Sequence, residues 1–316
     1  MAGRVNWAAS DWSTIGMSEL EFTGERFHPQ CEREMWYEHW HRYVFALPLV
    51  AGKRVLDLAC GEGYGSALLA RKASHVVGVD YEEQAVAHAR KVYRAENLEY
   101  RQGDATRLDW DSEPFDVVVS FETIEHVENQ AGMLDSIQRV LKPAGVLLIS
   151  SPDRKHYSDE TGYKNPYHVR ELYREEFEHM LRQRFERVRV WGQRLLFASA
   201  LWPLDRAVKR GGMTVMDAQK RMLETDVLKP MYEMALCSNG PLPDMDDLHL
   251  FTDREASVYN HYDDEVRRNM AARKVLADYE QQMADLRNRV RELEEALQQR
   301  RRAERPRQSG WRWWRR

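Results

Sequence analysis

Short apolar runs and segments of helical period alternate along residues 54–150. The segments that read as strands fall at 54–59, 75–79, 98–102, 115–120 and 145–150. Apolar residues three and four apart fall at 66–72, 82–95 and 130–141. Continuous apolar runs of this length read as strands buried on both faces, and their alternation with helices argues for a parallel sheet covered on each side. Further along, 172–184 reads as a helix, 188–191 as a strand and 232–237 as a last strand. Residues 199–229 read as an inserted helical pair broken at Gly211-Gly212, and 241–262, with two prolines near its start, as a linker. Before the sheet, Trp36, Trp40 and Tyr43 share one face of an aromatic-rich helix that caps the domain within a segment of 1–50.

A second pattern occupies 263–303. Ala272, Leu276, Tyr279, Met283, Leu286, Val290, Leu293 and Leu297 are spaced alternately four and three apart. That is a heptad seam, with Arg289 and Glu294 where flanking charges of a parallel pair would meet, and it predicts a self-associating coiled coil. One amphipathic helix packed on its own domain is the competing reading. The net charge of −4 conceals a strongly basic end: 300–316 carries eight arginines against one glutamate, and Trp311, Trp313 and Trp314 interleave with the last of them. Arginine with indole suits an anionic membrane surface, with RNA or an anionic glycan as competing ligand.

The chemistry is concentrated where the first apolar run ends. Asp57 is followed by Gly61, Gly63 and Gly65, giving D-x-x-x-G-x-G-x-G rather than the dinucleotide spacing G-x-G-x-x-G. Asp80 ends the second run, 15 residues after Gly65, where a carboxylate can accept ribose hydroxyls. Asp104-Ala105 follows the third run, Phe121-Glu122 the fourth, and Leu141-Lys142-Pro143-Ala144-Gly145 leads into the fifth.

This ordered set resembles the class I S-adenosylmethionine (SAM)-dependent methyltransferases. The resemblance implies an α/β fold with a Rossmann-like seven-stranded sheet, last strand antiparallel, over about 51–240, and SAM as cofactor. It implies SAM contacts from Tyr43, Asp57, Gly61, Gly63, Gly65, Asp80, Tyr81, Asp104, Ala105, Phe121 and Glu122. His126, just past the fourth strand at the ligand-binding edge, is the candidate general base for a hydroxyl acceptor; a packing or positioning role stands beside it. Glu125 is expected to face solvent. His156, Tyr167, His168 and Arg170 follow the fifth strand, where such enzymes build the acceptor pocket. No linear spacing of metal ligands is seen, and no metal is expected.

The T-G-E-R-F-x-P opening, the E-H-x-x-R-Y helix and the Y-H-V-R-E-L segment resemble methyltransferases of bacterial surface-polysaccharide (O-antigen or capsule) clusters and the ubiquinone-biosynthesis type. This implies O-methylation of a sugar or sugar phosphate, with a lipid-linked glycan as acceptor and a chain-capping role. The alternatives are a quinone-type or metabolite O-methyltransferase, and a non-catalytic SAM-fold assembly protein. No run spans a bilayer, no signal segment opens the chain, and Cys31, Cys60 and Cys237 form no pattern. The expected setting is the cytoplasm, peripheral to the inner membrane face, with a homo-oligomer as partner and no nucleic acid.

Overall fold

A computed structural model describes residues 34–201, 203–205, 212–216, 219–223 and 228–303. The expectations placed on the T-G-E-R-F-x-P opening and on the tail 304–316 lie outside these residues. The chain divides into two units, Met1–Thr252 and Asp253–Arg316.

In the first unit, helix α1 (Glu34–Val50) precedes strand β1 (Arg54–Leu58), then α2 (Tyr64–Ala70), β2 (His75–Asp80), α3 (Glu83–Val92) and β3 (Leu98–Gln102). Strand β4 (Phe115–Ser120), a 3-10 turn (Ile124–His126), α4 (Gln130–Val140) and β5 (Leu141–Pro152) follow. A π turn (Lys155–Asp159), α5 (Arg174–Arg182) and β6 (Arg187–Gln193) lead to two short strands, β7 (Val215–Met216) and β8 (Met222–Leu223), and then to β9 (Tyr232–Ser238). Seven strands form one sheet in the order β3-β2-β1-β4-β5-β9-β6. Strands β1 to β5 pair in parallel, and β9 runs antiparallel to both β5 and β6.

The apolar runs become the central strands because both of their faces are covered. Leu56, Val118 and Leu147 are fully buried on the face of α4 and α5, while Val55, Val76 and Val119 are buried on the face of α1, α2 and α3. At about 1.5–3 kcal/mol per fully buried aliphatic side chain, these two layers dominate the stability of the sheet. The strand order reverses at β1, whose neighbours are β2 and β4, so the carboxyl ends of β1 and β4 flank the crevice in which doubly wound sheets bind ligands.

Two segments differ from their expected form. The described residues of 199–229 contain no helix; β7 and β8 pair there, Val215 opposite Leu223 and Met216 opposite Met222. The linker read over 241–262 also divides. Leu242 and Met245 pack into the core, the Trp191 indole donates to the Asp246 carbonyl at 3.0 Å, and Phe251 lies 5.4 Å from the Trp36 ring. The apolar residues among the prolines and acids fasten this stretch to α1 and β6.

In the second unit, α6 (Ser257–Ala303) is a continuous helix of 47 residues, beginning six residues before the expected coil. Leu286 and Leu293 on its heptad seam are 60% and 55% exposed. No helix among the described residues is long and apolar enough to cross a membrane.

Glu233 on β9 is buried, faces Asp153, and has Arg174 at 3.9 Å. Burial first, then the Asp153 charge, push its carboxyl up to about 8, against the opposing pull of Arg174, with Glu178 and Glu175 adding to the rise. The folded protein therefore holds a proton that the unfolded chain releases near 4.5. Stability falls as pH rises from about 4.5 to about 8. Glu233→Gln removes this dependence. The melting temperature of the variant relative to the parent should climb across that window, by roughly 2–4 °C per kcal/mol regained. A difference independent of pH would contradict the assignment.

Candidate active site

The turn from β1 into α2 is fixed by two buried carboxylates. Asp57 is fully buried beneath it; Ser66 Oγ donates to its Oδ2 at 2.6 Å and Tyr43 Oη to its Oδ1 at 3.1 Å. Burial pushes Asp57 up to about 7 while the two hydroxyl donors pull it back. Asp80, at the tip of β2, accepts the Gly61 N–H at 2.8 Å and the Glu82 N–H at 3.0 Å. Tyr100 Oη donates to the Gly63 carbonyl at 2.7 Å. Glycine suits all three positions, Gly61 (φ +55°) and Gly63 for their backbone and Gly65 for its surroundings. Gly63 has φ +95°, in the left-handed region. At Gly65 a Cβ would fall 2.0 Å from the Tyr43 ring, so the aromatic side chain of α1 occupies the space a larger residue would need.

A second group gathers after β4. Glu122 has φ +51°, an uncommon conformation for a residue with a Cβ. Its Oε1 accepts from Ser150 Oγ at 2.6 Å and lies 3.5 Å from Arg42 Nη2. Arg42 is 1% exposed; its Nε donates to Gln193 Oε1 at 2.8 Å and its guanidinium covers the Tyr232 ring at 4.5 Å. Arg42 Nη1 and Nη2 are buried without a hydrogen-bond partner.

The 3-10 turn then carries Glu125 inward. Its backbone carbonyl accepts the N–H groups of Val169 and Arg170 at 2.9 and 3.0 Å, tying the loop after β5 to the turn. Its carboxylate is 1% exposed, and neither oxygen has a hydrogen-bond partner. Burial, with the charge of Glu122, pushes its pKa well above the carboxylate range. The expectation of a solvent-facing Glu125 is thus overturned: the tight turn and its two loop hydrogen bonds aim the side chain into the protein.

His126 Nδ1 donates to the Tyr167 carbonyl at 3.0 Å, and its Nε2 lies 3.9 Å from Glu125 Oε1. The His168 ring stands edge-on to His126 at 4.9 Å and is stacked on Tyr157 at 5.4 Å. Tyr157 in turn lies 5.7 Å from Tyr232. The arrangement is a glycine turn at the end of β1 and, after β4, a group of imidazole, carboxylate and phenol side chains.

Residues 49–200 match a family described as a methyltransferase domain. A probable S-adenosylmethionine-dependent methyltransferase of Mycolicibacterium smegmatis is 40% identical over 158 residues, covering 49% of this chain and 61% of that protein. A similarly described protein of Mycobacterium tuberculosis is 37% identical over 172 residues, 54% of this chain and 62% of its own length. The ubiquinone biosynthesis O-methyltransferase of Hahella chejuensis is 38% identical over 112 residues, 34% of this chain and 46% of that one. The family match thus covers 152 of the 316 residues, just under half of the chain. This chain spans about six-tenths of the length of the first two relatives.

Within the first unit, the structure sorts the expected site residues. Gly61, Gly63, Gly65 and Asp80 meet at one loop. Asp57 and Tyr43 brace that loop from beneath, both buried, with the Tyr43 and Ser66 hydroxyls bonded to the Asp57 carboxylate. Asp104 caps its own turn, its Oδ1 accepting from Thr106 N and Oγ1 at 2.8 Å each. Tyr81 is 74% exposed beside Asp80, Ala105 packs on the second core layer, and Phe121 is buried edge-on to Tyr43.

Of the acceptor candidates, His168 and Tyr167 join His126. Arg170 and His156 do not. The Arg170 guanidinium is largely exposed and pairs with Glu176 at 3.5 Å, because the N–H bond of Arg170 to the Glu125 carbonyl turns its side chain outward. His156 is turned onto Asp153. Arg42 and Glu125 were missed as site residues. The signal for Arg42 was its place next to Tyr43, and for Glu125 its place next to His126.

Asp80→Ala should weaken SAM binding by roughly ten- to a hundredfold, the loss of one or two hydrogen bonds to a charged acceptor. Isothermal titration with SAM, with the circular dichroism spectrum as a check on folding, reads the effect; unchanged affinity would overturn the role of Asp80.

Proposed function

We propose that the chain transfers a methyl group from SAM to a hydroxyl of a sugar-class acceptor. SAM, when bound, supplies an electrophilic methyl on a sulfonium. Asp80 holds the ribose hydroxyls and Asp104 the adenine amino group. Arg42 offers the methionine carboxylate a buried cationic fork, a fit supported by Nη1 and Nη2 making no hydrogen bond, with Nη2 3.5 Å from Glu122 Oε1. The observation that carries the acceptor reading is the group Glu125, His126 and His168 at the carboxyl end of β4, beside that cradle. Such groups receive a hydroxyl and take up its proton, and the alignment and desolvation the walls provide can lower the barrier by roughly 7–11 kcal/mol. Tyr157, with the Tyr163 ring at 5.8 Å and the Tyr232 ring at 5.7 Å, begins a set of aromatic faces suited to sugar rings. The resemblance to surface-polysaccharide methyltransferases supports a lipid-linked glycan as the physiological acceptor.

A quinone-type phenol is the second reading. It is favoured by the similarity to an enzyme described as a ubiquinone biosynthesis O-methyltransferase.

The same proposal gives the exposed seam of α6 a second copy as its partner and the arginine–tryptophan tail an anionic membrane surface, which brings a lipid-linked acceptor to the site. Seven seam residues from Leu276 to Leu297 are each at least half exposed, an apolar stripe that pairing would cover.

Labelled methyl from SAM should appear in lipid-linked glycan rather than in free phenols or quinols; transfer to the phenols alone would favour the second reading. His126→Ala should lower turnover by roughly a hundredfold or more with SAM affinity kept. Light scattering on the full chain should give an oligomer that Leu286→Asp with Leu293→Asp converts to monomer. A monomeric parent would remove the coiled-coil reading.

A further inference from the structure

The fold brings together three potential metal ligands that are scattered in the sequence. One donor atom each from Glu125, His126 and His168 lie within 4.8 Å of one another. We propose that these three side chains form a divalent transition-metal site at the acceptor side of the domain.

The first argument is the state of Glu125. A carboxylate 1% exposed, with neither oxygen hydrogen-bonded, carries a desolvation cost that a cation relieves. The second is the orientation of the imidazoles. Metal-bound histidines donate the distal ring N–H to a carbonyl or carboxylate, which fixes the tautomer and leaves the other nitrogen's lone pair for the ion. His126 Nδ1 donates to the Tyr167 carbonyl at 3.0 Å, placing the lone pair on Nε2, the atom 3.9 Å from Glu125 Oε1. His168 Nδ1 donates to Glu171 Oε1 at 2.6 Å, placing its lone pair on Nε2 as well. In the ion-free geometry this lone pair accepts from the Asn165 amide at 2.9 Å, a bond that an ion replaces.

The third argument is scale. Donors about 2.1 Å from a shared ion stand roughly 3–4 Å apart, so the present spread closes by small side-chain rotations. Glu171, hydrogen-bonded to His168, and Glu122, whose charge acts on Glu125, are further carboxylates around the group. Two imidazoles with one carboxylate suit Mn²⁺, Fe²⁺ or Zn²⁺ better than the all-oxygen demands of Mg²⁺ or Ca²⁺.

The ligand set stands on geometry alone, whereas the ion's use rests on the proposed transfer to a hydroxyl. There it would hold the acceptor oxygen and lower the hydroxyl's pKa, and His126 would serve as a ligand rather than as the base.

The test is metal binding by the full chain, stripped with chelator and titrated with Mn²⁺, with the free ion followed by electron paramagnetic resonance and the bound ion by elemental analysis. One Mn²⁺ per chain is expected, bound more tightly than Mg²⁺. Glu171→Gln, which leaves all three ligands in place, should weaken it by roughly 10–100-fold, and Glu125→Gln by at least as much. SAM titration of the same samples should be unchanged. Absence of stoichiometric Mn²⁺, or Mn²⁺ binding by Glu125→Gln and Glu171→Gln as tight as the parent's, overturns the site. Loss of SAM binding by the parent chain would instead overturn the function on which the ion's role rests.

Discussion

The hydrogen bonds that pin the β1–α2 turn between two carboxylates are the constraint on which the site depends. Asp57 beneath the turn and Asp80 beside it hold Ser66, Tyr43 and the Gly61 N–H in one arrangement. Asp57 is buried, and losing either hydroxyl donor would leave an acceptor short of partners in the interior, at a cost of about 1–3 kcal/mol. The same bonds draw α1 onto the sheet. Tyr43 fills the space above Gly65, and its neighbour Arg42 is thereby delivered to Glu122 on the far side of the crevice. The cradle and the acceptor wall are two ends of one short network.

The acceptor wall obeys the same logic with the opposite outcome. Asp57 is buried with its partners supplied, whereas Glu125 is buried with none for its carboxylate oxygens. A fold that encloses Glu125 against two histidines, and ties their loops with the Glu125 and Tyr167 carbonyls, holds a polar site ready for something it does not itself contain. A hydroxyl, a cation, or a hydroxyl on a cation is the chemistry that such a set answers.

Much of the fold was legible because β1, β2 and β4 are buried on both faces and read as mostly apolar runs. Observed β3 and β4 coincide with their expected bounds, and β1 and β2 differ by one residue. The order of the last strands was not legible: β9 inserts between β5 and β6, a choice made by pairing across the sheet. Residues 199–229 misled because their apolar and glycine content fits a broken helical pair as well as the short β7–β8 ladder. The glycines of the β1–α2 turn share one contiguous motif, which is why the turn was legible in the sequence. The acceptor wall was found only in part, since Glu125 and His168 are 43 positions apart (168 − 125) and only the loop after β5 unites them. Glu125 reads as one more surface acid unless the 3-10 turn that faces it inward is known.

The central claim is that the glycine turn and the β4 wall serve one reaction centre. A crystal structure of the chain with S-adenosylhomocysteine tests it most directly. The account predicts the ribose on Asp80, the amino-acid carboxylate at Arg42, and the sulfur turned toward the Glu125–His126–His168 wall. A nucleoside bound elsewhere, or a sulfur turned away from that wall, would contradict it.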